Sequence, residues 1–307
     1  MPWLINTAQL EKFRKYQKNV VILDATFYVF EHDKNARQAF LDKHIIGARF
    51  FDIDTFCDPH STLPHMLTQD ETLISEKLGA LGITNDHRII FYDNSPYHSS
   101  CRALWMLKVF GHSLDHLYIF DGNLDSWEKQ GGKVELAEPR ITPKHYTVHY
   151  QRQFVRSLVQ IKANLQQPHE QIIDMRSAVR YAGGAEPRPH MRVGHIPGSF
   201  SFPFVTMFEA SGRLKPMDKV RSQLEGIGVD LRSPIVCTCG SAITAPILDF
   251  VLDLLGVSQP HAVYDGSWAE WGATQLYEGE TSLQERPVQT STEVSGNIQE
   301  FPLKRVS

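Results

Sequence analysis

The same pattern of residues occurs twice along this chain at a nearly fixed distance, so each copy must build the same local structure around its own core. The apolar run Val20-Val21-Ile22-Leu23 ends at Asp24, and Ile172-Ile173 ends at Asp174, a shift of 150 positions. His44-Ile45-Ile46-Gly47-Ala48 is answered by His195-Ile196-Pro197-Gly198-Ser199, and Asp121-Gly122 with Trp127 by Asp265-Gly266 with Trp271. Between them Arg88-Ile89-Ile90-Phe91-Tyr92-Asp93 aligns with Pro234-Ile235-Val236-Cys237-Thr238-Cys239, which sets Asp93 against Cys239. The copies are related in sequence and chemically unequal.

Short β-rich apolar runs alternate with amphipathic stretches, as in Arg88–Tyr92, Ala103–Phe110, Leu117–Phe120 and Leu124–Lys129. That alternation predicts α/β domains with mostly parallel sheets. At 307 residues the chain exceeds what one core usually organises. The expected division is an N-terminal domain over 1–135, a polar, proline-bearing linker over 136–155, a C-terminal domain over 156–276 and a polar tail over 277–307, disordered or laid on the surface.

A formal charge of -4 offers no basic footprint for nucleic acid or anionic lipid. No apolar stretch reaches membrane-spanning length, and Met1–Asn6 carries no signal-like pattern, so neither secretion nor a membrane is expected. Four cysteines, Cys57, Cys101, Cys237 and Cys239, are too few and too irregular for a disulfide framework, which suits reduced thiols in a cytoplasmic compartment.

The segment Cys237 to Ala245 follows an apolar strand and leads into the helical run Ile247–Leu255. Ligands of open α/β sheets bind at the carboxyl ends of strands, where a tight loop at a helix N-terminus turns its amides inward. A cysteine at the mouth of such a loop has its thiolate favoured and becomes a nucleophile. Cys239 holds that place; taken alone it is equally readable as a buried hydrophobe, and Cys237, two residues back on the strand, reads as structural.

These residues resemble the tandem-domain rhodaneses, and within them the 3-mercaptopyruvate sulfurtransferases. The likeness covers roughly residues 1–275, and rests on Cys239-Gly240-Ser241-Ala242-Ile243-Thr244-Ala245, His44 to Asp54, Glu186-Pro187-Arg188, Gly194 to Gly198 and Tyr264-Asp265-Gly266-Ser267-Trp268. It implies two tandem rhodanese-like domains, each a mostly parallel sheet flanked by helices, the first catalytically silent. It further implies a persulfide on Cys239 cradled by Gly240, Ser241, Ala242, Ile243 and Thr244, and a proton relay of Ser241, His65 and Asp54. Arg180 and Arg188 map onto the family's substrate-binding arginines, with Arg176 as fallback because the spacing is one residue short. Thiosulfate enzymes carry two basic residues after the cysteine; Gly240-Ser241 carries none and favours 3-mercaptopyruvate.

The implied reaction passes sulfur from that donor to a thiol such as thioredoxin, or to cyanide, and needs no metal or organic cofactor; a monomer is expected. The alternatives are a thiosulfate sulfurtransferase and a low-activity sulfur-binding module. A dual-specificity phosphatase is disfavoured, since it needs an arginine six residues past the cysteine and Ala245 stands there. Ala242 replaces the loop's usual glycine, and a positive φ at that position would cost on the order of 1 kcal/mol.

Overall fold

In the computed structural model of the chain, residues 3–291 are described. They form two compact units. One comprises the chain up to His60 with Leu67–Arg152 and Ala210–Leu214; the other comprises Ser61–Met66, Gln153–Glu209 and the chain from Lys215.

The first unit holds a sheet of five strands in the order Trp3–Ile5, Leu117–Phe120, Arg88–Tyr92, Val20–Asp24 and Ala48–Phe50, all paired in parallel. In the second unit the order is Val155–Arg156, His261–Tyr264, Ile235–Thr238, Gln171–Asp174 and Phe200–Ser201, again all parallel. The repeat read from sequence is therefore a repeat of topology, strand for strand. Arg88–Tyr92 and Ile235–Thr238 are the middle strands, and their unbroken apolar runs suit a position covered on both faces.

The paired tryptophans occupy matching core positions. Trp127 and Trp271 are both fully buried, and their indole N–H groups donate to the carbonyls of Lys133 and Pro287 at 2.9 Å each. A buried indole needs such a partner, and truncating either ring would cost about 3–5 kcal/mol.

The stretch expected to link the domains belongs to the first unit as far as Arg152. Just before it, Val134–Glu135 pairs antiparallel with His44–Ile45; within it Tyr146 is fully buried, and the amides of Lys144, His149 and Gln151 donate to the carbonyls of Gly79, Phe110 and Val109. The expected tail is also fastened over 277–291, where Arg286 is fully buried within the second unit; residues 292–307 of that expectation lie outside the described ones. No helix among the described residues is long and apolar enough to cross a membrane.

His112 in the first unit is buried as a neutral ring. Its Nε2 lies 2.9 Å from the His87 carbonyl and its Nδ1 lies 3.2 Å from the Tyr146 hydroxyl, a pair that the singly protonated ring satisfies by donating from Nε2 and accepting at Nδ1. Burial, opposed by the bond to the His87 carbonyl, drives its pKa down to about 4. The unfolded chain therefore takes up this proton first as pH falls, and the associated stability is present above about pH 6.5 and lost towards pH 4. The expected outcome is a melting temperature that falls across that window in the wild type and falls less in His112→Gln; equal slopes would contradict the assignment.

Candidate active site

Strand Ile235–Thr238 ends in the loop that carries Cys239, and helix Ala245–Leu254 follows it. Cys239 is almost fully buried, and Cys237 is sealed within the strand. The carbonyls of Cys239 and Gly240 accept from the amides of Trp268 and Ala269 at 3.0 and 2.8 Å. Because a trans peptide points its C=O and N–H in opposite directions, the amides of Gly240 and Ser241 are turned away from helix Ser267–Trp271. The loop thus presents donors to one side, as an anion cradle requires.

The first unit contains the same device with its anion built in. Asp93, at the position of Cys239, accepts through Oδ1 from the Ser95 amide at 2.9 Å and through Oδ2 from the Ser100 amide at 3.0 Å. Burial raises its pKa, against the lowering effect of hydrogen bonds from Ser100, Ser95 and Ser99. In this copy the Asp93 carboxyl group fills the loop where the other copy has Cys239.

Two guanidinium groups converge on the cysteine loop. Nitrogens of Arg180 and Arg188 stand 3.3 and 3.4 Å from where a Cβ on Gly240 would lie, so a side chain there would crowd them. Arg188 Nη2 donates to Ser241 Oγ at 2.8 Å, which leaves the hydroxyl proton available to another acceptor. Burial, then the charge of Arg180, lowers the pKa of Arg188, while Cys239 and Glu186 act in the opposite sense. The loop lacks a cation of its own, as the sequence reading held, but cations are supplied from 180 and 188.

Arg176 is not available as the fallback. Its side chain is fully buried, bound to Asp174 at 2.6 Å and Glu186 at 2.7 Å, donates to the Gly194 carbonyl at 2.7 Å, and lies 4.1 Å over the Trp268 ring. Burial lowers its pKa, but Asp174 and then Glu186 outweigh that effect and raise it. All three guanidinium nitrogens are engaged inside the unit, so it serves as structure.

Two contributors escaped the sequence reading. Glu186 binds Arg176 with one carboxylate oxygen and Arg180 with the other, at 2.5 Å, and so aims Arg180. Ser267 has φ +50 and is fully buried; its Oγ accepts from the Cys239 amide at 3.2 Å and donates to the Tyr264 carbonyl at 2.7 Å. Both lie inside quoted signatures, Glu186-Pro187-Arg188 and Asp265-Gly266-Ser267-Trp268, but residue type and spacing do not reveal the direction of a hydroxyl or carboxylate. Asp54 and His65 belong to different units. Asp54 is exposed on the 3-10 turn Ile53–Phe56; His65 is half-buried at φ +62 on the Ser61–Met66 segment.

Ala242 does adopt the left-handed conformation, with φ +54, and is fully buried. Ala242→Gly relieves about 1 kcal/mol of strain but removes a buried methyl worth about the same, while a β-branched residue adds strain and crowding. Thermal unfolding should show Ala242→Gly within a few degrees of wild type and Ala242→Val clearly lower; a strongly destabilised glycine variant would contradict this account. Glu186→Ala leaves Arg176 and Arg180 short of a buried partner and should lower stability by about 3–5 kcal/mol in denaturant titration, with Glu186→Gln recovering part of the loss.

A rhodanese-like domain matches residues 7–130 and 157–274. The chain is 35% identical over 244 residues to a 3-mercaptopyruvate sulfurtransferase of Escherichia coli, covering 79% of this chain and 85% of that protein. It is 34% identical over 281 residues to the mitochondrial thiosulfate/3-mercaptopyruvate sulfurtransferase 1 of Arabidopsis thaliana, covering 84% of this chain and 73% of that one. The crystal structure of SseA from Escherichia coli superposes with a TM-score of 0.78 at 30% identity, over 88% of this chain and all of that one.

Proposed function

Because this chain belongs to the rhodanese family and is a sulfurtransferase, we propose that it takes its sulfur from 3-mercaptopyruvate and carries it as a persulfide on Cys239. The observation that carries this reading is the convergence of Arg180 and Arg188 on the loop, with Arg188 bonded to Ser241. A guanidinium grips a carboxylate through two parallel hydrogen bonds, so the pair can hold the donor's carboxylate and keto oxygen.

The Cys239 thiolate attacks the donor's sulfur. The carbon–sulfur bond breaks with its electron pair going to carbon, and the pyruvate enolate departs. Ser241 delivers a proton to that carbon, and His65, oriented by Asp54, restores it. The persulfide's outer sulfur is held by the loop amides of residues 240–244, where Asp93 supplies an internal precedent for an anion in such a loop. An acceptor thiol, with reduced thioredoxin as the proposed physiological one, or cyanide, then removes the outer sulfur and regenerates the thiolate. A monomer in a reducing, cytoplasmic compartment is part of the proposal.

Thiosulfate is the second donor to consider, because two cations beside Gly240 also suit a dianion. Steady-state kinetics with both donors separates the readings. Cys239→Ser should abolish turnover with either donor while the fold survives, and Ser241→Ala should lower kcat/KM for 3-mercaptopyruvate by about 10²-fold while sparing thiosulfate. Mass spectrometry after donor treatment should show one added sulfur on the Cys239 peptide. Pyruvate release without that mass would overturn the scheme.

A further inference from the structure

The rhodanese-like match ends at residue 274, yet the chain beyond it is tied into the second unit as far as Ser291. Arg286 forms the knot. Its Nη1 donates to the carbonyls of Glu270, Trp271 and Ala273 at 2.7, 2.9 and 3.1 Å, and its Nη2 to the Gln275 carbonyl at 2.5 Å. Its Nε donates to the Glu280 carboxylate at 3.0 Å, and Lys162 binds Glu285 at 2.7 Å from outside. A buried guanidinium with all three nitrogens bonded to one stretch of chain holds that stretch in one shape.

From this knot the chain runs to the helix that carries Arg180. Gln289 exchanges two backbone hydrogen bonds with His195, at 2.8 and 3.0 Å. The His195 ring stacks on Tyr181 at 3.7 Å, and its Nδ1 meets the Tyr181 carbonyl at 2.7 Å. One step further, the Ser291 amide donates to the Ala182 carbonyl at 3.1 Å. Two glycines mark the contact as close: a Cβ on Gly194 would run into the Gln289 carbonyl, and one on Gly183 would meet Thr290, both at positive φ. The helix concerned, Ala178–Ala182, has five residues. A single turn has no stability of its own and takes its position from what it touches.

We propose that residues 275–291 are a positioning strap, locked by Arg286, that fixes the carboxyl end of the Arg180 helix and so sets the aim of the arginine on the sulfur donor. Glu186 holds the guanidinium from one side and the strap holds the backbone from the other. The inference rests on the reading that Arg180 binds the donor's carboxylate, and it makes donor binding depend on a segment outside the family's common domain.

The test uses the full chain with Ser291→Pro, which deletes the single N–H bonded to Ala182, together with Arg286→Lys and Arg180→Lys. Three quantities are measured: KM and kcat with 3-mercaptopyruvate, the rate at which cyanide discharges a preloaded persulfide, and the melting temperature. Discharge needs no carboxylate grip. The strap predicts that Ser291→Pro and Arg286→Lys raise KM about tenfold, with discharge within about twofold of wild type. A lowered melting temperature with KM unchanged, or loading and discharge slowed alike, would reduce the strap to general structural support and overturn the proposal. Should Arg286→Lys fail to fold, Ser291→Pro decides by the same criterion. An unchanged KM in Arg180→Lys would instead remove the reading beneath it.

Discussion

A fully buried guanidinium is among the most expensive groups to take out of water, and the second unit is organised around Arg176. Its cost is offset only because two carboxylates, a carbonyl and an indole face meet it from four separate segments: Asp174 at the end of a sheet strand, Glu186 in the arginine loop, Gly194 at a turn and Trp268 in the helix behind the cysteine loop. Remove any one and a charge is left under-compensated in a dry place. Such a group therefore acts less as a source of stability than as a demand for one arrangement, and that arrangement positions Glu186, hence Arg180, hence the space above Gly240.

Much of this organisation was legible in the residues. The repeat foretold both sheets, because a parallel strand between two helical layers must be continuously apolar and such runs recur at matching intervals. Ala242 was identified as a strained position, since a loop that turns successive amides inward needs a left-handed residue and alanine merely tolerates it. Arg180 and Arg188 both reach the loop at Gly240, and Arg188 bonds Ser241.

What was not legible has a common cause. Polar residues from Glu278 read as a tail, disordered or laid on the surface, because hydropathy registers a side chain's character and not its bonds, and Arg286, which is fully buried, scores as a surface residue. The same holds over residues 144–151, whose backbone bonds to Gly79, Val109 and Phe110 leave no trace in residue type. Arg176 and Arg180 likewise differ in burial and partners, not in chemistry, so only packing could separate the structural guanidinium from the one facing the loop.

Asp93 bears on more than its own copy. A loop that turns amides inward is a concentration of positive potential that favours an acceptor, and in the first unit the acceptor is the covalently attached Asp93 carboxyl group, which takes the Ser95 and Ser100 amides. The second loop has no such permanent occupant. If the outer sulfur of the persulfide takes the place that the Asp93 carboxylate fills, each catalytic cycle alternates the second unit between a filled and an empty form of the same loop. The loop's amides would then favour the charged sulfur in the folded chain over the unfolded one, and the loaded protein would resist unfolding more than the discharged one, coupling the chemical state of one atom to the rigidity of a domain.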